Sequence, residues 1–165
     1  MDLSSLLRPI RELPAYQELL SSLRLGERRL RPMHLPRAAR PTLAAALTLD
    51  LDRPVVLLVS RPDRALTLTE ELPSWAPAVR LLPYPDPRPL FYEVAAWGPR
   101  TLSQRAATLA ALTAGMEPNA EAVAHRPTLV LASARGLMTR TIPRRDFIAG
   151  TRWLFIFHDG VEEWN

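Results

Sequence analysis

The residues best placed to do chemistry lie in the turn Pro36-Arg37-Ala38-Ala39-Arg40-Pro41, inside the stretch RPMHLPRAARPTLAAAL from Arg31 to Leu47. The spacing predicts a short strand, a tight turn and the first turns of a helix. That is where a nucleotide-binding α/β domain presents free backbone N–H groups to a phosphate. A working phosphate loop of the G-x-x-x-x-G-K-[ST] type needs glycines to wrap the phosphates, a lysine for the outer ones and a hydroxyl for magnesium. Pro36, Arg37, Ala38, Ala39, Arg40 and Pro41 supply none of the three. The stretch reads either as a degenerate phosphate loop or as a turn that never bound nucleotide.

Other chemistry is sparse. His34, His125 and His158 are scattered and lack metal-ligand spacing. His158-Asp159 is the one acid and imidazole pair, with no serine elbow to serve. Ser133 ends an apolar run, where a binding residue or a helix cap would both fit. With no cysteine, disulfides, thiolate catalysis and cysteine-ligated zinc are excluded. No catalytic set, metal site or cofactor is expected.

The elements that would position these residues read as alternating strands and helices. Leu3 to Leu25 carries apolar residues at helical spacing, broken by Pro9 and Pro14 and stopped near Gly26. Glu27 to Arg31 is a charged linker, in which Arg28, Arg29 and Arg31 fit either a solvated surface or an anion patch. Thr42 to Leu49 is a short helix. The run Pro54 to Val59 predicts a parallel strand covered on both faces, followed by a helix that Asp63 could cap. Ala78 to Leu82 is a third strand, and Pro83 to Pro89 an extended proline-rich connection. Thr101 to Leu112 is a helix with Leu102, Arg105, Ala106, Leu109 and Leu112 on one face. Thr128 to Ala132 is a fourth strand, followed by a helix over Ala134 to Arg140.

This order predicts an α/β fold in three layers: a mostly parallel sheet with helices on both faces and right-handed crossovers. Ligands in such sheets sit beyond the carboxyl ends of the strands. That edge would carry Arg37, Arg40, Arg61, Arg64, Arg88 and Arg135. They fit an anion-friendly rim, or simply arginines populating loops in a chain without lysine. The domain would span residues 1–147, with a helical segment at 1–26 and a divergent tail at 148–165. In that tail Trp153 to Phe157 is strongly apolar and could form a small hairpin or an edge strand.

All 21 basic residues are arginine and the net charge is +4, compatible with nucleic acid but far from a basic tail. The start lacks a leader-like apolar run and no stretch approaches the ~20 apolar residues of a membrane span, so a cytoplasmic location without membrane contact is expected.

The ordered segments PVVLLVSRPDRALTLTEEL (54–72), VRLLPYPDPRPLFYE (79–93), RTLSQRAATLAAL (100–112) and PTLVLASARGLMTRTIP (127–143) resemble one family. They are similar to the N-terminal UvrB-like module of the transcription-repair coupling factor, Mfd, a bacterial translocase that removes stalled RNA polymerase and recruits excision-repair proteins. The resemblance covers about Leu6 to Phe147 and rests on order and spacing. It implies a RecA-type half-fold in which Arg40 takes the place of the phosphate-loop lysine and Pro41 that of the magnesium hydroxyl. A domain without ATPase activity would follow, acting in transcription-coupled DNA repair through DNA and repair or transcription proteins. The tail from Thr151 departs from the family, so the expectation is a fragment or shortened relative without the UvrA-binding, polymerase-binding and motor regions. The alternative from the residues alone is a small enzyme or ligand-binding domain that takes a phosphorylated or carboxylate ligand at the arginine-lined edge, and a third is nucleic-acid binding through arginine.

Overall fold

The computed structural model describes residues 2–30, 32–87, 97–114 and 126–150. The core is an open sheet of three parallel strands, β1 (Val55–Val59), β2 (Arg80–Tyr84) and β3 (Thr128–Ser133), in the order β1-β3-β2. Among the described residues seven α-helices accompany it: α1 (Leu7–Arg11), α2 (Pro14–Arg24), α3 (Ala39–Asp50), α4 (Pro62–Trp75), α5 (Pro99–Ala114), α6 (Ala134–Met138) and α7 (Arg144–Gly150).

Strand order explains why both faces carry helices. The crossover from β1 to β2 passes over β3 and carries α4, whereas the crossover from β2 returns to the middle of the sheet and carries α5. Right-handed crossovers that run in opposite directions along a sheet put their helices on opposite faces. On one face Leu129, Leu131, Val55, Leu57 and Leu81 pack against Ala45 and Ala46 of α3 and Leu68 and Leu72 of α4. On the other, Leu82, Tyr84, Val130 and Ala132 pack against Leu109, Ala111 and Leu112 of α5. The expected α/β architecture with a parallel sheet is present, and it is all-parallel.

The sequence predicts four strands, and the structure differs at the first. Residues 32–36 have no regular structure and pair with nothing in the sheet, so no strand feeds the turn before α3. The prolines at 32 and 36 explain this, because neither can donate to a ladder and each restricts the residue before it.

β1 also departs from expectation. It was predicted to be covered on both faces, yet Val56 and Leu58 are half exposed. Their cross-strand neighbours are Val130 and Ala132. The crossover through α5 joins β2 to β3 and packs on those two strands, so among the described residues no helix covers the Val56 and Leu58 face of β1, an edge of the described sheet. β2 starts two residues later than predicted and includes Pro83, which an edge strand tolerates.

The remaining elements follow local rules. Gly26 adopts φ +78°, with its N–H bonded to the Leu23 carbonyl and the Glu27 N–H to that of Ser22. This is the glycine stop that closes a helix in the left-handed region. Asp63 does not cap α4. The N-cap is Arg61, followed by Pro62 as a preorganised first residue, and Asp63 instead pairs with the Arg61 side chain at 2.8 Å. The helix after β3 ends at Met138, and a further short helix, α7, occupies part of the stretch from 144 that had no predicted element. The expected hairpin or edge strand in the tail from Trp153 and the end of the proline-rich connection, residues 88–89, lie outside the described residues.

The N-terminal helices dock onto the face that carries α3 and α4. Leu7, Tyr16 and Leu20 are buried in the main core. Asp50 at the end of α3 gathers three of their polar groups: Arg11 at 2.7 Å, the Tyr16 hydroxyl donating at 2.6 Å, and Arg24 donating to its backbone carbonyl at 2.9 Å. Burial of the Tyr16 phenol, reinforced by the adjacent Asp50 carboxylate, raises its pKa far above the ordinary value.

Candidate functional site

The turn that resembles a phosphate loop is built from the backbone outward. Arg37 and Ala38 form the turn and α3 starts at Ala39. Because α3 leads into β1 through the short connection 51–54, the helix runs back against the strand and its first turn stands at the carboxyl edge of the sheet. An anion there would need free N–H donors. The Ala39 N–H already bonds the Pro36 carbonyl at 3.0 Å and the Arg40 N–H the Arg37 carbonyl at 3.4 Å. Pro41 has no N–H and is buried against the fold. Two donors of the first helical turn are therefore consumed by the tight turn and a third is absent. No side chain caps the helix.

The predicted arginine rim divides. Arg61 pairs with Asp63, Arg64 forms a two-pronged pair with Glu71 on its own helix at 3.0 and 3.2 Å, and Arg135 lies 3.2 Å from Asp86. Arg37 and Arg40 are exposed and make no side-chain hydrogen bond or ion pair among the described residues. Arg88 lies outside them. The five described arginines thus do not converge on one anion.

What converges instead is a buried cluster at the carboxyl ends of β2 and β3, centred on Arg105 of α5. Its guanidinium donates to the Pro85 carbonyl at 3.0 Å, the Gly136 carbonyl at 3.1 Å and the Tyr84 hydroxyl at 2.8 Å. It also lies 3.9 Å from the centre of the Tyr84 ring and 4.9 Å from that of Trp97. Delocalised charge and a planar fork let arginine stack and donate at once, which lysine cannot do. Nearby, Ser133 caps α6 by accepting the Gly136 N–H at 3.0 Å. A Cβ at Gly136 would approach the Tyr84 carbonyl to 3.1 Å and the Ser133 hydroxyl to 3.2 Å, so the two loops touch here through a glycine.

The sequence places Arg105 among apolar positions of a helix without giving it a role. A charged residue in register with Leu109 and Leu112 on the inner face was the available signal. Ser133, of the two roles open to it, is the cap. His34 is exposed, and His125 and His158 lie outside the described residues. Among the described residues no group of three His, Cys, Asp or Glu could hold a metal, and no helix is long and apolar enough to cross a membrane. A crevice between α3, α4 and the sheet is lined by Ala45, Leu72, Pro73, Ala76, Val79 and Leu81, together with Leu129, and none of these side chains is polar.

Comparison with protein-family models, with curated proteins and with solved structures found no match to this chain.

Proposed function

We propose that residues 1–147 form a non-catalytic scaffold, related to the UvrB-like, RecA-type module of transcription-repair coupling factors, that serves DNA repair through contacts with DNA and partner proteins. The observation that carries the non-catalytic part is the first turn of α3. Two of its N–H groups are bonded back to Pro36 and Arg37, and Pro41 offers none. With no lysine in the chain, the exposed Arg40 stands where a phosphate loop holds its lysine, and Pro41 offers no hydroxyl for magnesium. Support for the repair context comes from the ordered resemblance of the β1–α4, β2, α5 and β3–α6 segments to that family. Titration with ATP and magnesium tests the proposal. The expected result is no saturable binding up to millimolar nucleotide, and magnesium-dependent binding in the micromolar range overturns it.

The second reading, a domain for a phosphorylated or carboxylate ligand at the sheet edge, has the unpaired Arg37 and Arg40 in its favour. Against it stand the pairing of Arg61, Arg64 and Arg135 with carboxylates of this chain and the apolar lining of the crevice. A thermal-shift screen with sugar phosphates and nucleotides separates the two, because a ligand bound only by the folded state raises Tm by mass action.

A further inference from the structure

From Arg28 to Leu49 the chain carries five arginines and no Asp or Glu. Four of the five, Arg28, Arg29, Arg37 and Arg40, are described, and all four are exposed. None makes a side-chain hydrogen bond or an ion pair among the described residues. Elsewhere an arginine close to a carboxylate takes it, as in Arg8–Glu12, Arg11–Asp50, Arg61–Asp63, Arg64–Glu71 and Arg135–Asp86. The stretch keeps its charge for solvent: it holds no acidic residue, and among the described residues the fold brings no carboxylate against these four arginines.

The fold gives this charge a shape. Arg24 at the end of α2 donates to the backbone carbonyl of Asp50, which fixes the end of α2 beside the end of α3. The segment after Gly26 must then return along the length of α3 to reach its first turn. Residues 29–30 and 32–36 have no regular structure. Twelve helical residues measure about 18 Å at the standard rise. Arg28 and Arg29 thus stand near one end of the strip and Arg37 and Arg40 at the other. The positive pole of the α3 dipole adds to the second pair, and its first turn holds no acidic residue.

From this arrangement we infer that the strip from Arg28 to Arg40 binds the phosphate backbone of duplex nucleic acid, independently of sequence. The inference deepens the scaffold reading and rests on it for the choice of DNA over another polyanion. A segment that runs the length of a helix about 18 Å long brings arginines near both of its ends within reach of phosphates on both sides of a major groove about 12 Å wide. Each guanidinium fork matches a phosphate. A single strand is the poorer fit, because such sites stack bases on aromatic rings and residues 27–49 contain no Phe, Tyr or Trp.

Fluorescence anisotropy with a labelled mixed-sequence duplex, in a salt series, tests the inference. Four phosphate contacts predict a slope of log K against log salt of about −3.6, or about a 150-fold loss of affinity from ~50 to ~200 mM salt. Replacing Arg28, Arg29, Arg37 and Arg40 together by Gln should abolish that binding, and each single substitution should reduce the slope by about 1. Arg80→Gln with Arg126→Gln, exposed arginines at the amino ends of β2 and β3, is the matched control and should leave the slope unchanged. Circular dichroism confirms that each variant folds.

The inference is overturned if the chain does not bind duplex at the lowest salt, if the fourfold variant binds as the parent does, or if the control loses as much. Capture by phosphatidylserine vesicles or polyglutamate in place of duplex also overturns it. Failure here leaves the scaffold reading standing, and magnesium-dependent ATP binding would overturn that reading without altering the salt slope.

Discussion

Arginine does two opposite jobs in this chain, and the contrast shows how one residue type is divided by its surroundings. At the carboxyl ends of β2 and β3, Arg105 is 2% exposed, and its charge is met by two carbonyls, a hydroxyl and two aromatic faces. Along 28–40, Arg28, Arg29, Arg37 and Arg40 point to water with nothing to pair against. A buried guanidinium must recover its lost hydration from fixed dipoles, so its neighbours are locked to it. An exposed one keeps its hydration and locks nothing. Removal of the first is expected to show in stability, and removal of the second in binding.

The sharpest way to break this contrast is Arg105→Ala. It strands the Tyr84 hydroxyl and the Pro85 and Gly136 carbonyls inside the fold, and should cost about 3 kcal/mol or more in urea unfolding. Arg105→Lys should recover little of that, since an ammonium cannot reach all three acceptors and stack as well. A cost below about 1 kcal/mol for either variant would mean that the cluster does not hold the two loops together.

Gly136→Ala comes next. The added methyl meets the Tyr84 carbonyl and the Ser133 hydroxyl at 3.1 and 3.2 Å, and one of these is backbone. Overpacking of this kind should cost about 1–2 kcal/mol, read as a shift of the urea midpoint at unchanged m value. An unchanged midpoint would show that the loops give way freely.

Tyr16→Phe should cost about 1 kcal/mol near neutral pH through loss of the bond to Asp50. It also carries a pH signature. The Tyr16 pKa is raised on folding, so the neutral phenol is the form that folding favours. Its contribution is complete below the unfolded-state value near 10 and is lost as pH rises from there toward the folded value. The parent should therefore lose stability above pH 10 more steeply than Tyr16→Phe, in unfolding curves measured at successive pH values.

The smallest effect belongs to the outward arginines. Arg37→Gln with Arg40→Gln should leave unfolding within about 0.5 kcal/mol of the parent, as surface changes away from specific contacts usually do. A larger loss would show that these side chains hold the turn before α3, and the contrast with Arg105 would fail.

Parts of this architecture are legible from residue order alone. The run Val55 to Val59 followed by Arg61-Pro62 and a leucine-spaced helix marks a βα unit, because period and turn chemistry are local properties. The absence of glycine, lysine and hydroxyl between Pro36 and Pro41 is equally plain. Misreadings cluster where pairing decides. The stretch leading to Pro36 reads as a strand, but Pro32 and Pro36 and the lack of a ladder partner leave residues 32–36 irregular. β1 looked doubly covered because its five residues are all apolar, yet only its place at the sheet edge determines which face α5 reaches.

Thus the sequence by itself determined the alternation of strands and helices, the absence of phosphate-loop chemistry and the run of arginine without acid from 28 to 49. Each is a matter of residue type and spacing along the chain. Only the tertiary structure decided which arginines are satisfied. Arg135 meets Asp86 across 49 residues, Arg64 finds Glu71 along one helix, and Arg105 is enclosed by loops from two strands. The solvation of a charge depends on what the fold brings within about 4 Å of it, and no spacing rule supplies that distance.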